Sequence, residues 1–300
     1  MQGNNFYISN AENFKKIPGH SITYWVSQIT RNSFMQPKLG EQTNTKKGIA
    51  TSNNDYFLKL WYEINFKTIG FHITSNEQSI ISKMKWFPIN KGGSFNRWYG
   101  NREYVVNWYN NGYEIKNYKD DNGKLLSRPQ NTQYNFKPAL TWSKITTSIF
   151  SARFCEGGFL FDDAAALCQD DNIQKLKYIL GFLNTTCCQS FLKILNPTVN
   201  VQIGDISNLP IVIDKSTQPQ IPNLVEKNIR LSRTDWDSFE TSWDFSRHPM
   251  LPTTVGQSVA DCYASFQSDC EERFLTLNSN EEELNRIFIN IYGLQDECKR

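Results

Sequence analysis

Apolar residues along this chain recur at two different periods, with Gly, Asn and Pro marking where one gives way to the other. Between Asn172 and Leu195, the residues Ile173, Leu176, Ile179, Leu180, Leu183, Cys187, Phe191 and Ile194 advance by three or four. That spacing predicts one long helix with a single buried face. Pro197 stops it, because proline cannot continue the hydrogen-bond ladder and disfavours the α conformation in Asn196 before it. From Asp55, DYFLKLWYEI sets Phe57, Leu58, Trp61 and Ile64 at helical spacing, with Asn53 or Asn54 as N-cap. An apolar FYIS at Phe6–Ser9 precedes a further helix after Asn10, and Pro18-Gly19 reads as a turn. Near the C-terminus, Ser279 and Glu282 form a capping-box pattern before Leu284, Ile287, Phe288 and Ile291, with Gly293 closing the helix.

The middle of the chain has the shorter period. Between Lys83 and Thr147, Gly92-Gly93, Gly100, Asn111-Gly112 and Asn122-Gly123 separate short aromatic and β-branched runs. Asn-Gly between such runs predicts a hairpin, since both central residues of a type I′ turn need positive φ. EYVVNW turning at Asn111-Gly112 into YEIKNY fits best. LTWSKIT and FSARF read as strands, and VNVQIGDISNLPIVI as extended chain bent at Gly204-Asp205. A polar, Pro-containing linker at Ser216–Pro222 divides residues 1–215 from 216–300. The expected fold class is α+β, a mixed or antiparallel sheet domain with a long packed helix, followed by a mainly helical C-terminal part.

Charge sharpens this division. The chain has 300 residues and a net charge of +2, yet residues 81–147 hold eleven Lys and Arg against four Asp and Glu, while residues 214–300 hold nine against fifteen. One half suits a polyanion and the other does not. The densest stretch is KWFPINKGGSFNRWYGNREYVVNW from Lys85, where cations and aromatic rings, Trp98 among them, share one Gly-punctuated segment. Cations supply the sequence-independent part of nucleic-acid affinity, and aromatic faces stack on unpaired bases. The same segment also fits the outer face of an aromatic-rich sheet with solvated cations. A hydrophobic fraction of 39% excludes a disordered chain. No apolar run approaches a membrane span, and the start has no signal-peptide pattern, so a cytoplasmic protein is expected, without a membrane partner.

The chemistry of a catalytic site is thin. Seven cysteines without a Cys-x-x-Cys pair read as reduced structural thiols, with at least one of Cys187 and Cys188 in the core. His20, His72 and His248 are isolated, which argues against a metal centre. Asn196-Pro197-Thr198-Val199 begins like the Asn-Pro-Pro-aromatic motif of amino-methyltransferases but lacks the second proline and the aromatic. Glu114-Ile115-Lys116 has the Glu-x-Lys of a nuclease without its second acid. Asp162-Asp163 and Asp170-Asp171 suit helix capping better than Mg²⁺. No phosphate-binding glycine loop is present, so no cofactor is assigned to this chain.

Taken together, GIATSNNDYFLKLWYEI, the Lys85–Trp108 segment, LTWSKIT, FLFDDAA, LKYILGFLNT with NPTVNVQIGDISNLPI, and FETSWDFSRHPML resemble the C-terminal portion of the PglX family. These are adenine-specific DNA methyltransferases of BREX phage-defence systems, related to methylating type IIG restriction enzymes. The resemblance covers most of the chain, in order. It implies an upstream domain that binds S-adenosylmethionine and methylates N6 of an adenine rotated out of the duplex, with this region as its target-recognition portion, inactive alone. Double-stranded DNA, the methyltransferase domain of the same or a split chain and other BREX proteins are the implied partners. Candidates for phosphate contact are Lys85, Lys91, Arg97, Arg102, Lys144 and Arg153. For base edges they are Arg128 to guanine and Asn96 and Asn101 to adenine, side chains with bidentate geometry. The alternatives are the specificity portion of a type IIG restriction-modification enzyme, a carbohydrate-binding module suggested by eight tryptophans, and a scaffold built from the acidic C-terminal helices.

Overall fold

A computed structural model describes residues 10–251 and 256–298, so the expected apolar segment Phe6–Ser9 lies outside the described residues. The helices are α1 (Gln28–Ser33), α2 (Leu39–Gln42), α3 (Asn54–Phe57), α4 (Asn76–Ser82), α5 (Tyr109–Lys116), α6 (Ile173–Leu183), α7 (Thr186–Leu195), α8 (Ile203–Ser207), α9 (Gln220–Trp236) and α10 (Val259–Tyr292). The strands are β1 (Asn44–Lys46), β2 (Leu58–Leu60), β3 (Trp86–Asn90), β4 (Tyr104–Asn107), β5 (Ala139–Trp142), β6 (Ala152–Cys155), β7 (Leu160–Phe161) and β8 (Leu167–Gln169). The fold is mixed α+β, with a mainly helical C-terminal part, as the two periods require.

Two four-stranded sheets organise the first two-thirds. One is antiparallel with order β1-β8-β5-β6; the other has order β2-β4-β3-β7, in which β7 runs parallel to β3. α6, α7, α9 and the C-terminal third of α10 bury Leu176, Phe182, Phe191, Val225 and Phe288 in one core with Leu140 and Trp142 of the first sheet. Phe57, Phe87, Trp108 and Ile115 form a second core on the other sheet. The sequence expected as a linker runs through consecutive turns into α9. α9 packs closely enough on α6 that a Cβ at Gly181 would stand 2.9 Å from Ile221 Cγ2.

Several local expectations are corrected. The single helix over 172–195 is two. Asn184 Nδ2 donates to Ala152 O (3.0 Å) and Ala152 N–H donates to Asn184 Oδ1 (2.9 Å), so this amide pairs with β6 as a strand would. Thr185 then caps α7, whose Cys187 and Cys188 are both buried. The helix expected from Asp55 lasts one turn, capped by Asn53, before Leu58–Leu60 pairs with β4. The Asn111-Gly112 hairpin does not form. β4 already has β2 and β3 on its two edges, and a strand has no third. Instead Asn110, Asn111 and Gly112 take φ of 49°, 56° and 72° in succession and swing the chain into the rest of α5.

Gly204-Asp205 lies in α8 rather than in a bend between extended segments, because Asp205 accepts from the backbone N–H of Gln202 (2.7 Å) and caps a helix there. The last helix begins at Val259, capped by Ser258 and Asp261, and Ser279 lies inside it. Its end at Gly293 (φ 68°), the stop before Pro197, and the strands of LTWSKIT and FSARF stand as expected.

Candidate nucleic-acid interface

The Lys91–Glu103 connection between β3 and β4 folds down across the first sheet. Gly93 N–H donates to Ser143 Oγ (3.2 Å), and Trp98 adds itself to the edge of β6, donating to Ala152 O (3.1 Å) and accepting from Phe154 N–H (2.9 Å). This docking consumes many of the side chains expected at DNA. Trp98 is buried, with its indole N–H donated to Glu281 of α10 (2.6 Å), and the same carboxylate pairs with Arg97. Asn96 Nδ2 donates to Asn101 Oδ1 (2.7 Å) and Asn101 Nδ2 to Ser94 O (3.0 Å), so the two amides hold the loop together.

Arg102 and Arg153, expected at phosphates, are buried: only 3% and 2% of their surfaces are exposed. Arg102 lies over the rings of Tyr99 (3.8 Å) and Phe159 (4.8 Å) and makes a two-pronged pair with Glu156, 2.8 Å at Oε1. Burial would weaken the Arg102 charge, but the Glu156 hydrogen bonds and charge outweigh it; in return burial would raise the Glu156 carboxyl, and Arg102 holds it below its ordinary value. Arg153 is different. It donates to Asn96 O (3.3 Å) and Ser143 Oγ (3.5 Å) and pairs with no carboxylate among the described residues, so burial, aided by the Arg102 charge, lowers its pKa to about 10. Lys144 pairs with Asp163 at 3.2 Å, and Lys91 sits over the Tyr104 ring at 4.3 Å.

What faces water lies over the other sheet. Lys85 is exposed beside Trp86, and its carbonyl accepts from Trp108 N–H (3.0 Å). The Trp108 ring is covered by the Lys116 ammonium (5.1 Å), which burial makes easier to deprotonate. Between these cations the three-residue positive-φ turn presents Tyr109 and Tyr113 to solvent, with Tyr56 of α3 alongside and Lys83 at the end of the neighbouring α4. Non-glycine residues held at positive φ cost energy and concentrate at functional sites. Gly112 is required there, since a Cβ would stand 2.5 Å from the Trp108 ring. Glu114 is the acid within this patch, accepting from Tyr56 Oη (3.3 Å) and Asn107 Nδ2 (3.0 Å). Arg128 is exposed on a separate strand-like segment, its backbone paired with Ala50.

Lys83, Lys85, Tyr56, Tyr109 and Tyr113 are thus exposed on or beside α3, α4, β3 and α5, with Lys116 half-buried, whereas Trp98, Arg102 and Arg153 are buried and Arg97 is half-buried. The tyrosines escape a reading of the sequence because Asn111-Gly112 predicts a hairpin; the two tyrosines bracketing that turn are the available signal. Seven free thiols, six of them buried, accompany this site without entering it. Among the described residues no cluster of His, Cys, Asp or Glu could hold a metal, and no helix is long and apolar enough to cross a membrane.

No family model matches the chain. It is 39% identical over 302 residues to the adenine-specific methyltransferase PglX of Lacticaseibacillus casei (strain Zhang), an alignment covering 98% of this chain and 25% of that protein. It is 32% identical over 288 residues to the adenine-specific methyltransferase BrxX of Escherichia coli O9:H4 (strain HS), covering 95% and 22%. Among solved structures, the type IIL restriction-modification enzyme MmeI in complex with DNA gives a TM-score of 0.44 at 10% identity, covering 83% of this chain and 33% of that one. The chain spans about a quarter of the length of the curated relatives it matches. By descent, then, it is a homologue of the C-terminal part of the PglX and BrxX adenine-specific methyltransferases.

Proposed function

We propose that this chain is the DNA target-recognition portion of a site-specific, S-adenosylmethionine-dependent adenine-N6 methyltransferase of a BREX phage-defence system. The observation that carries the reading is the patch of exposed Lys83, Lys85, Tyr109 and Tyr113, with the half-buried Lys116 on the same α5, in a chain whose relatives are adenine-specific methyltransferases. The lysines offer point charges to a phosphate backbone, and the tyrosines offer hydroxyls to sugar and phosphate oxygens and faces to an unstacked base. Methyl transfer and the binding of S-adenosylmethionine belong to the methyltransferase domain with which this portion would work in the cytoplasm, together with other BREX proteins.

Binding of a fluorescein-labelled duplex to the 300-residue chain, followed by anisotropy between 50 and 300 mM salt, tests this. Affinity should fall with a log–log slope of about −0.9 per phosphate neutralised. Replacing Lys83, Lys85 and Lys116 together by Ala should flatten the slope by about two to three units. Affinity that does not change with salt, or that survives the triple substitution, overturns the reading.

A further inference from the structure

α10 is a 34-residue helix, yet only its C-terminal third enters the core; among the residues before Leu284, Cys262 alone is buried. Val259, Tyr263, Phe266, Cys270, Phe274 and Leu277 nevertheless follow one another at steps of three and four, an apolar stripe along the side that meets α9. α9 covers only part of it. Phe266, Cys270 and Leu277 are half-buried, while Val259, Phe274 and Tyr263 are 77%, 67% and 53% exposed. Midway along the stripe a cavity of about 220 Å³ opens between the helices and the Asn96–Tyr99 loop, with Tyr99, Leu231, Trp236, Cys270, Phe274 and Leu277 in its lining.

Along α10 the charge is mainly negative, and the two cations at the cavity, Arg97 and Arg273, lie against Glu281 and Asp235. From Asp261 to Glu283 the helix carries seven carboxylates and a single cation, Arg273. Glu281 and Glu283 are engaged by Arg97 and Arg286, and Arg273 lies toward Asp235 at 3.9 Å. Asp261, Asp269, Glu271, Glu272 and Glu282 remain exposed. A second copy of this helix, a nucleic acid or an anionic membrane would each meet like charge along its length. An amphipathic helix rich in Lys or Arg would meet opposite charge and place an apolar residue in the cavity, the anchor-and-groove mode by which helices bind grooves.

We propose that the exposed stripe of α10, with the cavity it shares with α9, is a docking groove for a basic amphipathic helix of a protein partner, anchored by one large apolar side chain. This groove lies apart from the lysine and tyrosine patch and is independent of the DNA reading.

The probe is a synthetic 18-residue Leu/Lys amphipathic peptide with one central Trp, fluorescently labelled, together with its counterpart carrying Glu at every Lys position. The intact chain should bind the Lys peptide at least tenfold more tightly than the Glu peptide. Phe274→Asp, at an exposed position, and the pair Glu271→Lys with Glu272→Lys should each weaken the Lys peptide at least tenfold, with circular dichroism and duplex-DNA affinity unchanged. The proposal is overturned if the Lys peptide does not bind, or if Phe274→Asp leaves its affinity within twofold.

Discussion

Glu156→Gln tests whether the charges in the middle of this protein are structural. Arg102 is enclosed by Tyr99, Phe159 and the Phe154 carbonyl, and Glu156 is its nearest compensating charge; Arg233, 3.9 Å from Glu156, adds a second cation to the same site. Removing one partner of a fully buried ion pair costs about 3–5 kcal/mol. The Glu156 side chain keeps 44% of its surface, so water reaches its side of the pair and the Gln carbonyl still accepts one N–H. The expected loss is therefore about 2–3 kcal/mol. With an unfolding entropy of about 2.1 cal/mol/K per residue over 300 residues, each kcal/mol is worth about 1.6 °C, and the thermal midpoint falls by about 3–5 °C.

pH supplies the signature. Because the folded-state pKa of Glu156 lies below its unfolded value, the pair's contribution is complete above the ordinary carboxyl range, about pH 4.3, and fades as pH falls through the lower folded value. Urea denaturation of wild type and variant should thus show a gap that is constant at neutral pH and closes in acid. A loss under about 0.5 kcal/mol, or a gap that does not narrow in acid, would refute the view that Glu156 offsets a buried charge.

Other outcomes are as definite. Arg153→Met should leave the unfolding free energy within about 1 kcal/mol of wild type or raise it, because it removes a buried cation that lacks a carboxylate, and duplex affinity should not change; a loss of DNA binding would return Arg153 to the interface. Gly112→Ala should cost about 2–4 kcal/mol by chemical denaturation, combining positive φ with overlap on Trp108, and should weaken duplex binding as the tyrosine turn is displaced. Gly181→Ala gains about 1 kcal/mol of helix propensity but forces α6 from α9 at Ile221, so a net loss of about 1 kcal/mol is expected in calorimetry. Trp98 fluorescence should respond to Glu281→Ala, which leaves its buried N–H unpaired at a cost of about 1–3 kcal/mol.

Much of the local structure was legible in the residues. The apolar spacing of Ile173–Ile194 marks a buried face, Asn53 caps, Pro197 stops and Gly293 closes, since each depends on atoms a few positions away. The charge asymmetry between the middle and the end of the chain was equally plain. Where such local signals failed, a distant partner had intervened: β4 turned Leu58–Leu60 into a strand, and the backbone of β6 broke the long helix at Asn184.

The candidate site was less legible for the same reason. Lysine and arginine read identically as cations in the sequence, but Arg97 meets its carboxylate 184 positions away and Arg102 meets its own 54 positions away. No local pattern encodes such a meeting. The residues alone determined the α+β composition, the placed charge and the kinship with adenine-specific methyltransferases. Only the tertiary structure decided which cations face water, because the field a side chain feels is set by neighbours that folding brings together.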